Sequence, residues 1–147
     1  MPIIDIHHVA IKTADLERTV DFYNNVLGTH SVERPPLSFP GAWLALGATM
    51  FHIYAGAPAR NEAGIIETGG AAVDHIAIQA REFDAMKEIA KSHGLEYRQN
   101  SMPSFNIWQL FLRDPNNIMI ELNFAIDQEP PGAKGPDGEH PYVAGKW

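Results

Sequence analysis

The chain has 147 residues, of which 45% are apolar and 20% charged, values that are ordinary for a globular protein with its own hydrophobic core. Its formal net charge of −7 argues against nucleic acid or an anionic membrane as a general partner. The absence of cysteine excludes disulfides, thiol nucleophiles and thiolate metal sites. No segment is long and apolar enough to span a bilayer, and the first residues do not resemble a signal peptide, so we expect a cytoplasmic location.

The first half of the chain predicts a strand, a helix and further strands. Alternation of apolar residues along Ile6–Ile11 indicates a strand with His8 and Ala10 on one face. A helix then begins after the N-cap candidates Thr13-Ala14-Asp15 and stops at Gly28. Its predicted apolar face consists of Leu16, Val20, Tyr23 and Leu27. A weakly marked strand follows the helix, and the clearer strands are Ala42–Leu46 and Thr49–Tyr54, joined by a turn at Gly47-Ala48.

The second half predicts the same order of elements after a linker, Ala55–Gly70, that is rich in Gly, Ala and Pro. The predicted elements are a strand at Val73–Gln79, a helix over Glu82–His93 that buries Phe83, Met86 and Ala90, and strands at Leu95–Gln99, Ile107–Leu112 and Ile118–Phe124. A Pro- and Gly-rich tail, Ala125–Trp147, is either mobile or laid over the surface. We therefore expect one domain over residues 1–147, made of one module at about 5–57 and a second at about 71–124.

The two modules contain a sequence repeat. Ile6–Ile11 returns as Val73–Ile78, and Met50–Tyr54 aligns with Met119–Asn123. If the modules pack about a pseudo-two-fold axis, four equivalent positions face one another. These positions are occupied by His8, His52, His75 and Glu121. Imidazoles and a carboxylate that converge on one point indicate a divalent metal site.

The alternative is a set of half-buried histidines with one salt-bridged glutamate, and for any single residue that alternative is the more frequent one. Two observations favour the metal. Glu121 lies in a strongly apolar strand, where an unpaired carboxylate is costly unless a cation or hydrogen-bond donors compensate. The small Ala10 and Ala77 lie beside the histidines and leave room for a ligand. His7 is interpreted as structural or solvent-facing, because the equivalent position is Asp74.

The chain resembles the vicinal oxygen chelate superfamily, which includes glyoxalase I, bleomycin-resistance proteins, fosfomycin-resistance enzymes, methylmalonyl-CoA epimerase and extradiol dioxygenases. The resemblance covers about residues 5–125. It rests on His8-Val9-Ala10-Ile11, Phe22-Tyr23 with Leu27-Gly28, Asp74-His75-Ile76-Ala77-Ile78, and Phe111–Asn117 leading to Ile120-Glu121-Leu122. It implies an α+β fold in which two βαβββ modules form a cupped mixed sheet.

The resemblance also implies a ligand set and a partner. The family's metal ligands correspond to His8, His75 and Glu121, with His52 as a fourth ligand or an acid/base group. The implied cofactor is a divalent metal, with Fe(II) favoured over Mn, Ni, Co or Zn. We expect a small-molecule substrate and a homodimer, either simple or with exchanged modules, and neither nucleic acid nor a membrane as a partner.

Departures from the family patterns separate its subfamilies. Glyoxalase I normally has a glutamate where this chain has His52, and the epimerase has a glutamine. Fosfomycin transferases that use glutathione carry a threonine where this chain has Ala10. Extradiol dioxygenases carry a catalytic histidine at the position of His52, which fits, and a catalytic tyrosine at the position of Phe111, which does not. Bleomycin-binding members lack the three ligands.

Three functions therefore follow, with the first narrowly preferred. The first is oxidation of a diol-type aromatic substrate, as in extradiol dioxygenases, with His52 as acid/base. The second is a redox-silent lyase or epimerase that works through a metal-stabilised enediolate, with Glu121 or His52 as base. The third is a protein that only binds a small molecule. The predicted substrate pocket is lined by Ala10, Trp43, Phe105, Trp108 and Phe111.

Overall fold

The computed structural model describes residues 2–147 and consists of two compact units, one extending to Gly69 and the other comprising Gly70–Trp147. Each unit has the order strand, helix, strand, strand, strand, which confirms the predicted βαβββ modules. Within the described residues, no helix is long and apolar enough to cross a membrane.

The first unit is a four-stranded mixed sheet with one helix. Its elements are β1 (His8–Lys12), α1 (Leu16–Asn25), β2 (His30–Val32), β3 (Gly41–Leu46) and β4 (Thr49–Tyr54). The strand order is β1-β4-β3-β2, with β1 parallel to β4 and the other pairs antiparallel. Strand β1 begins two residues later than predicted, because pairing with β4 starts at His8 opposite Met50 and leaves Ile6 68% exposed.

Helix α1 begins as predicted and covers one side of its sheet. The Asp15 side chain caps the helix by accepting a hydrogen bond from the Arg18 backbone N–H at 3.0 Å. The buried residues of its face differ from the predicted stripe and are Thr19, Phe22, Tyr23 and Val26. The Tyr23 ring lies 4.9 Å from that of Phe51. Since alternate residues of a strand point to opposite sides, α1 covers the Phe51 side and not the His52 side of β4.

The second unit repeats this arrangement. Its elements are β5 (His75–Ala80), α2 (Phe83–Ser92), β6 (Tyr97–Met102), β7 (Ile107–Arg113) and β8 (Met119–Ala125). The strand order is β5-β8-β7-β6, again with the first and last strands parallel and the other pairs antiparallel. Phe83 packs against Trp108 and Phe124, at ring distances of 5.7 and 5.1 Å, so α2 covers the side of the sheet to which these residues point.

The last part of the chain, residues 129–147, lies against the second unit, and we call it the strap. The Glu129 carboxylate accepts hydrogen bonds from the backbone N–H groups of Glu82 and Phe83 at the start of α2, at 2.9 and 2.7 Å. Asp137 forms an ion pair with Lys87 at 2.6 Å. The sequence pattern predicts Met86 on the buried face of α2, but the helix buries Lys87 instead, which is 6% exposed. The ion pair with Asp137 explains how a lysine can be buried there.

The Asp137 carboxylate makes several contacts that favour its charged form. The Lys87 ammonium lowers the pKa of Asp137 most, followed by the backbone N–H of Glu139, and the Gln99 side chain also donates to it. A carboxyl group with a lowered pKa in the folded state binds fewer protons than in the unfolded chain. Its stabilising effect is therefore present above its ordinary pKa of 3.8 and is lost as the pH falls below it.

We predict that Asp137→Asn lowers the free energy of unfolding at neutral pH, and that its difference from wild type shrinks as the pH is lowered from 5 to 2. Urea unfolding of both proteins across this range measures the difference. Glu67→Gln, which changes an exposed acidic residue of the first unit, serves as the control and should show no comparable loss at neutral pH. A difference for Asp137→Asn that stays constant down to pH 2 would contradict the prediction.

Candidate metal-binding site

Strand register places the four predicted ligands at equivalent positions of the two units. In the first unit, His8 pairs with Met50 and Ala10 with His52. In the second, His75 pairs with Met119 and Ala77 with Glu121. In each unit, therefore, one candidate ligand lies on the first strand. The other lies on the last strand, two residues beyond the pairing partner of the first, and both are on the same face of the sheet. The repeat seen in the sequence is confirmed as a structural repeat.

In both units, the residue before the candidate histidine contacts its Nδ1 atom. The Nδ1 atoms of His7 and His8 lie 2.8 Å apart, and Asp74 Oδ2 lies 2.8 Å from His75 Nδ1. A hydrogen bond at Nδ1 fixes the ring's orientation, and when Nδ1 is the donor the Nε2 lone pair remains for another partner. His7 is exposed, as expected from the sequence, but it also orients His8.

His52 lies between two aromatic rings. Its imidazole stacks on His8 at 3.8 Å and on Trp43 at 4.3 Å, with interplanar angles of 12° and 6°. It is only 6% exposed, and its buried Nε2 atom has no hydrogen-bond partner among the described residues. Burial lowers the pKa of His52 below its ordinary value of 6.5, and the charges of His8, His7 and Arg34 lower it further. The ring is thus a neutral base or ligand at physiological pH.

Glu121 is buried within a chain of polar contacts in the second unit. Its Oε1 accepts a hydrogen bond from Gln109 Nε2 at 2.7 Å, and its Oε2 lies 2.9 Å from His75 Nε2. Gln109 is in turn held by Asn100, whose Nδ2 donates to Gln109 Oε1 at 3.1 Å. Gln109 accordingly acts as an outer partner of the carboxylate, as Asp74 does for the imidazole.

The donor atoms fit a divalent ion. The His75 ring has a carboxylate at each nitrogen, which requires two ring protons or a cation shared by Nε2 and the Glu121 oxygen. His75 Nε2 and Glu121 Oε2, 2.9 Å apart, are the two donor atoms of the second unit that would hold such an ion. The unpartnered Nε2 of His52 supplies a further donor in the first unit. Imidazole nitrogens and a carboxylate oxygen suit Fe, Mn, Co, Ni and Zn.

Each unit by itself holds a pair of candidate ligands, and residues 2–147 contain no group of three or more His, Cys, Asp or Glu side chains arranged to hold an ion. The joining of the two pairs at one metal stays a prediction.

The predicted pocket residues have different surroundings. Ala10 and Trp43 pair with His52 across the first sheet, and Phe111 pairs with Glu121 in the second, so these three share the faces of the candidate ligands.

Phe105 is 73% exposed in a short turn before β7. Trp108 points to the α2 side and packs against Phe83, because it is an odd number of residues from Phe111 along the strand. We retain Ala10 and Trp43 as pocket predictions. Phe111 lies on the ligand side but is 1% exposed, because the Tyr142 ring stacks on it, so it offers no open surface to a substrate and is left out with Phe105 and Trp108.

Some residues of the site were not identified from the sequence. Gln109 had a detectable signal, since a glutamine inside the apolar strand Ile107–Leu112 needs a buried partner. The sequence contains no signal of this kind for Tyr142, because the tail in which it lies shows no alternation of apolar and polar residues. Its ring stacks on Phe111 at 3.6 Å. Burial raises the pKa of Tyr142 above its ordinary value of 10, the charges of Asp74 and Glu121 raise it further, and Arg113 opposes them.

We predict that His52 titrates below pH 6.5 in the metal-free protein, and that Trp43→Ala moves its pKa upwards because the ring loses its cover. Histidine NMR signals followed against pH measure both values, and His52→Gln assigns the signal among the seven histidines. A wild-type His52 that titrates at or above 6.5 would show that burial does not control this group.

Comparison with known proteins identifies the family. The sequence model of the Glyoxalase/Bleomycin resistance protein/Dioxygenase superfamily matches residues 5–122. Among characterised relatives, Glyoxylase I 4 of Arabidopsis thaliana is 27% identical over 120 residues, which make up 80% of this chain and 68% of the relative.

Solved structures support the same fold. A glyoxalase family protein from Bacillus anthracis has a TM-score of 0.66 at 21% identity and matches 84% of this chain and 96% of its own. Lactoylglutathione lyase from Agrobacterium tumefaciens has a TM-score of 0.63 at 19% identity, over 84% and 95%. The fosfomycin resistance protein FosX from Listeria monocytogenes has 0.65 at 18%, over 83% and 93%. The family match covers most of the sequence, and the chain belongs to the Glyoxalase/Bleomycin resistance protein/Dioxygenase superfamily.

Proposed function

We propose that this protein is a metal-dependent enzyme that acts on a small substrate with two adjacent oxygen atoms, and that His8, His75 and Glu121 hold one divalent ion. The repeated contact at Nδ1 carries the proposal, because in both units it orients a histidine, and a ring whose Nδ1 donates has its Nε2 lone pair for a ligand. Two histidines and one carboxylate leave coordination positions for a substrate. When bound there, a divalent ion would act as a Lewis acid on the substrate oxygens.

The working form that we propose is a homodimer. His8 belongs to the first unit and His75 and Glu121 to the second, so a complete set of ligands requires one unit of each kind. The pairs at one ion come either from a single chain or from two chains that exchange units. Both arrangements give one ion for each chain.

Among possible reactions, we favour proton transfer at a carbon next to a carbonyl group, as in a lyase or isomerase. His52 supports this choice, since it is buried and neutral and its Nε2 has no partner in its own unit. Such a base would take the proton from the carbon and return it to the neighbouring atom, so that substrate and product differ only in where that proton lies. The similarity to Glyoxylase I 4 of Arabidopsis thaliana points to the same class of reaction.

Oxidation of a diol-type aromatic substrate is the second candidate. Two histidines and one carboxylate are the ligands typical of non-heme Fe(II) oxygenases, and Trp43 provides aromatic surface on the ligand face of the first unit. In this case His52 would take a proton from the diol. The chain departs from this class at Phe111, which does not carry the hydroxyl of the family's tyrosine.

We predict that the purified protein binds one divalent ion per chain, and that Glu121→Gln weakens this binding by more than Asp74→Ala. Loss of an outer partner such as Asp74 typically costs about 10- to 100-fold in metal affinity, and loss of a ligand costs more. Titration calorimetry with Co(II), together with metal analysis, measures both affinities. His30→Gln removes an exposed histidine from β2 and is the control. Wild-type affinity in Glu121→Gln would rule out the proposed site.

Mixing two inactive variants separates the two arrangements of the dimer. If one ion is shared by two chains, a heterodimer of His8→Ala with Glu121→Gln contains one intact site and one doubly altered site, and the mixture regains metal binding. If each ion is held within a single chain, every site carries one defect and the mixture regains nothing.

Solvent exchange and oxygen uptake distinguish the two reactions. We predict that the Ni(II)- or Co(II)-loaded protein incorporates deuterium from D2O at a carbon next to a carbonyl in a panel of 2-hydroxycarbonyl compounds, detected by proton NMR. His52→Gln should lower the exchange rate by about 10²- to 10⁴-fold. Oxygen uptake by the Fe(II)-loaded protein with catechols, without such exchange, would establish the second candidate instead.

A further inference from the structure

The strap passes from the helix-covered side of the second sheet to the side that carries Glu121. On the first side, Asp137 pairs with Lys87 of α2, and the buried Gly135 lies directly against Trp108. At the edge of the sheet, the backbone N–H of Gln99 donates to His140 at 2.9 Å and that of Tyr142 donates to Gln99 at 3.0 Å. The strap therefore pairs with the edge strand β6 before it reaches the ligand side.

On the ligand side, Tyr142 lies directly on the residue opposite Glu121. Its ring stacks on Phe111 at 3.6 Å with an interplanar angle of 12°, and Phe111 pairs with Glu121 across β7 and β8. Phe111 is 1% exposed, although α2 lies on the other side of the sheet. The strap thus covers this part of the ligand side.

A second aromatic residue holds the end of the strap in place. The Trp147 ring lies between Arg98 and Arg113, with each guanidinium 5.0 Å from the ring centre. Arg98 pairs with Phe111, and Arg113 is two residues from Phe111, so both arginines belong to the ligand side. Cation–π contacts of this kind stabilise the position of the strap's end.

The Tyr142 hydroxyl is available to a ligand. Within the described residues it makes no hydrogen bond. Its ring lies on Phe111, which pairs with Glu121, so the hydroxyl is carried on the ligand side of the sheet. Burial raises the pKa of Tyr142, so the hydroxyl keeps its proton and can donate at neutral pH.

We propose that Tyr142 is a substrate-binding residue of the site, and that its hydroxyl donates a hydrogen bond to an oxygen of the ligand held at His75 and Glu121. This inference rests on the proposed metal site. The family match ends at residue 122, so the strap is a feature of this chain beyond the matched region. The substrate would meet Glu121 and His75 at one end and a phenol hydroxyl carried by the strap at the other.

The test uses the Co(II)-loaded protein and 4-nitrocatechol, a coloured ligand with two adjacent oxygens. Tyr142→Phe keeps the stacking on Phe111 and removes only the hydroxyl. Tyr97→Phe is the matched control, because it removes a phenol hydroxyl from β6 on the helix-covered side, where Tyr97 contacts His140. Absorbance titration gives the dissociation constant of 4-nitrocatechol, and the visible bands of Co(II) without it report the metal site.

We expect Tyr142→Phe to raise the dissociation constant of 4-nitrocatechol by about tenfold, the effect of one hydrogen bond to a charged oxygen. Co(II) affinity and bands should stay unchanged, and Tyr97→Phe should match wild type. Trp147→Ala, which loosens the strap, should also weaken 4-nitrocatechol binding.

Unchanged 4-nitrocatechol binding in Tyr142→Phe would overturn this inference without contradicting the metal site. A wild-type protein that binds Co(II) but not 4-nitrocatechol would have the same consequence. A wild-type protein that binds no Co(II) would overturn the proposed function and this inference together.

Discussion

The arrangement of the site depends on the parallel pairing of the first and last strands within each unit. This pairing sets His8 and His52, and likewise His75 and Glu121, on one face and on adjacent strands. A shift of the register by one residue would turn every side chain of one strand to the opposite face. The apolar residues that alternate with the ligands prevent this shift, since they are buried against the helix on the other side of each sheet.

The two units use this common framework differently. In the first, His52 is enclosed by the rings of Trp43 and His8, and burial keeps it neutral. In the second, the equivalent Glu121 is enclosed by polar groups, with Gln109 Nε2 at 2.7 Å and His75 Nε2 at 2.9 Å from its carboxylate oxygens. One unit therefore offers a buried imidazole and the other a hydrogen-bonded carboxyl group. This difference allows a duplicated module to provide distinct chemical roles at equivalent positions.

The strap adds an element that the duplication does not supply. It is attached to α2 through Glu129 and Asp137, to the edge of β6 through backbone hydrogen bonds, and to the ligand side through Tyr142 and Trp147. Several of these contacts are buried, since Gly135 lies against Trp108 and the Tyr142 ring covers Phe111, which is 1% exposed, so the strap is part of the packing of the second unit.

The sequence by itself determined the two βαβββ modules, their strands and the equivalence of His8, His52, His75 and Glu121, because strand alternation and the repeat are local patterns. It did not determine the outer partners. Gln109 reaches Glu121 across two strands, and the contacts of His7 and Asp74 with the histidines that follow them depend on side-chain orientation. It also missed the buried Lys87, the helix-side position of Trp108 and the stacking of Tyr142 on Phe111. These features depend on contacts between residues far apart in the chain, and only the tertiary structure decides them.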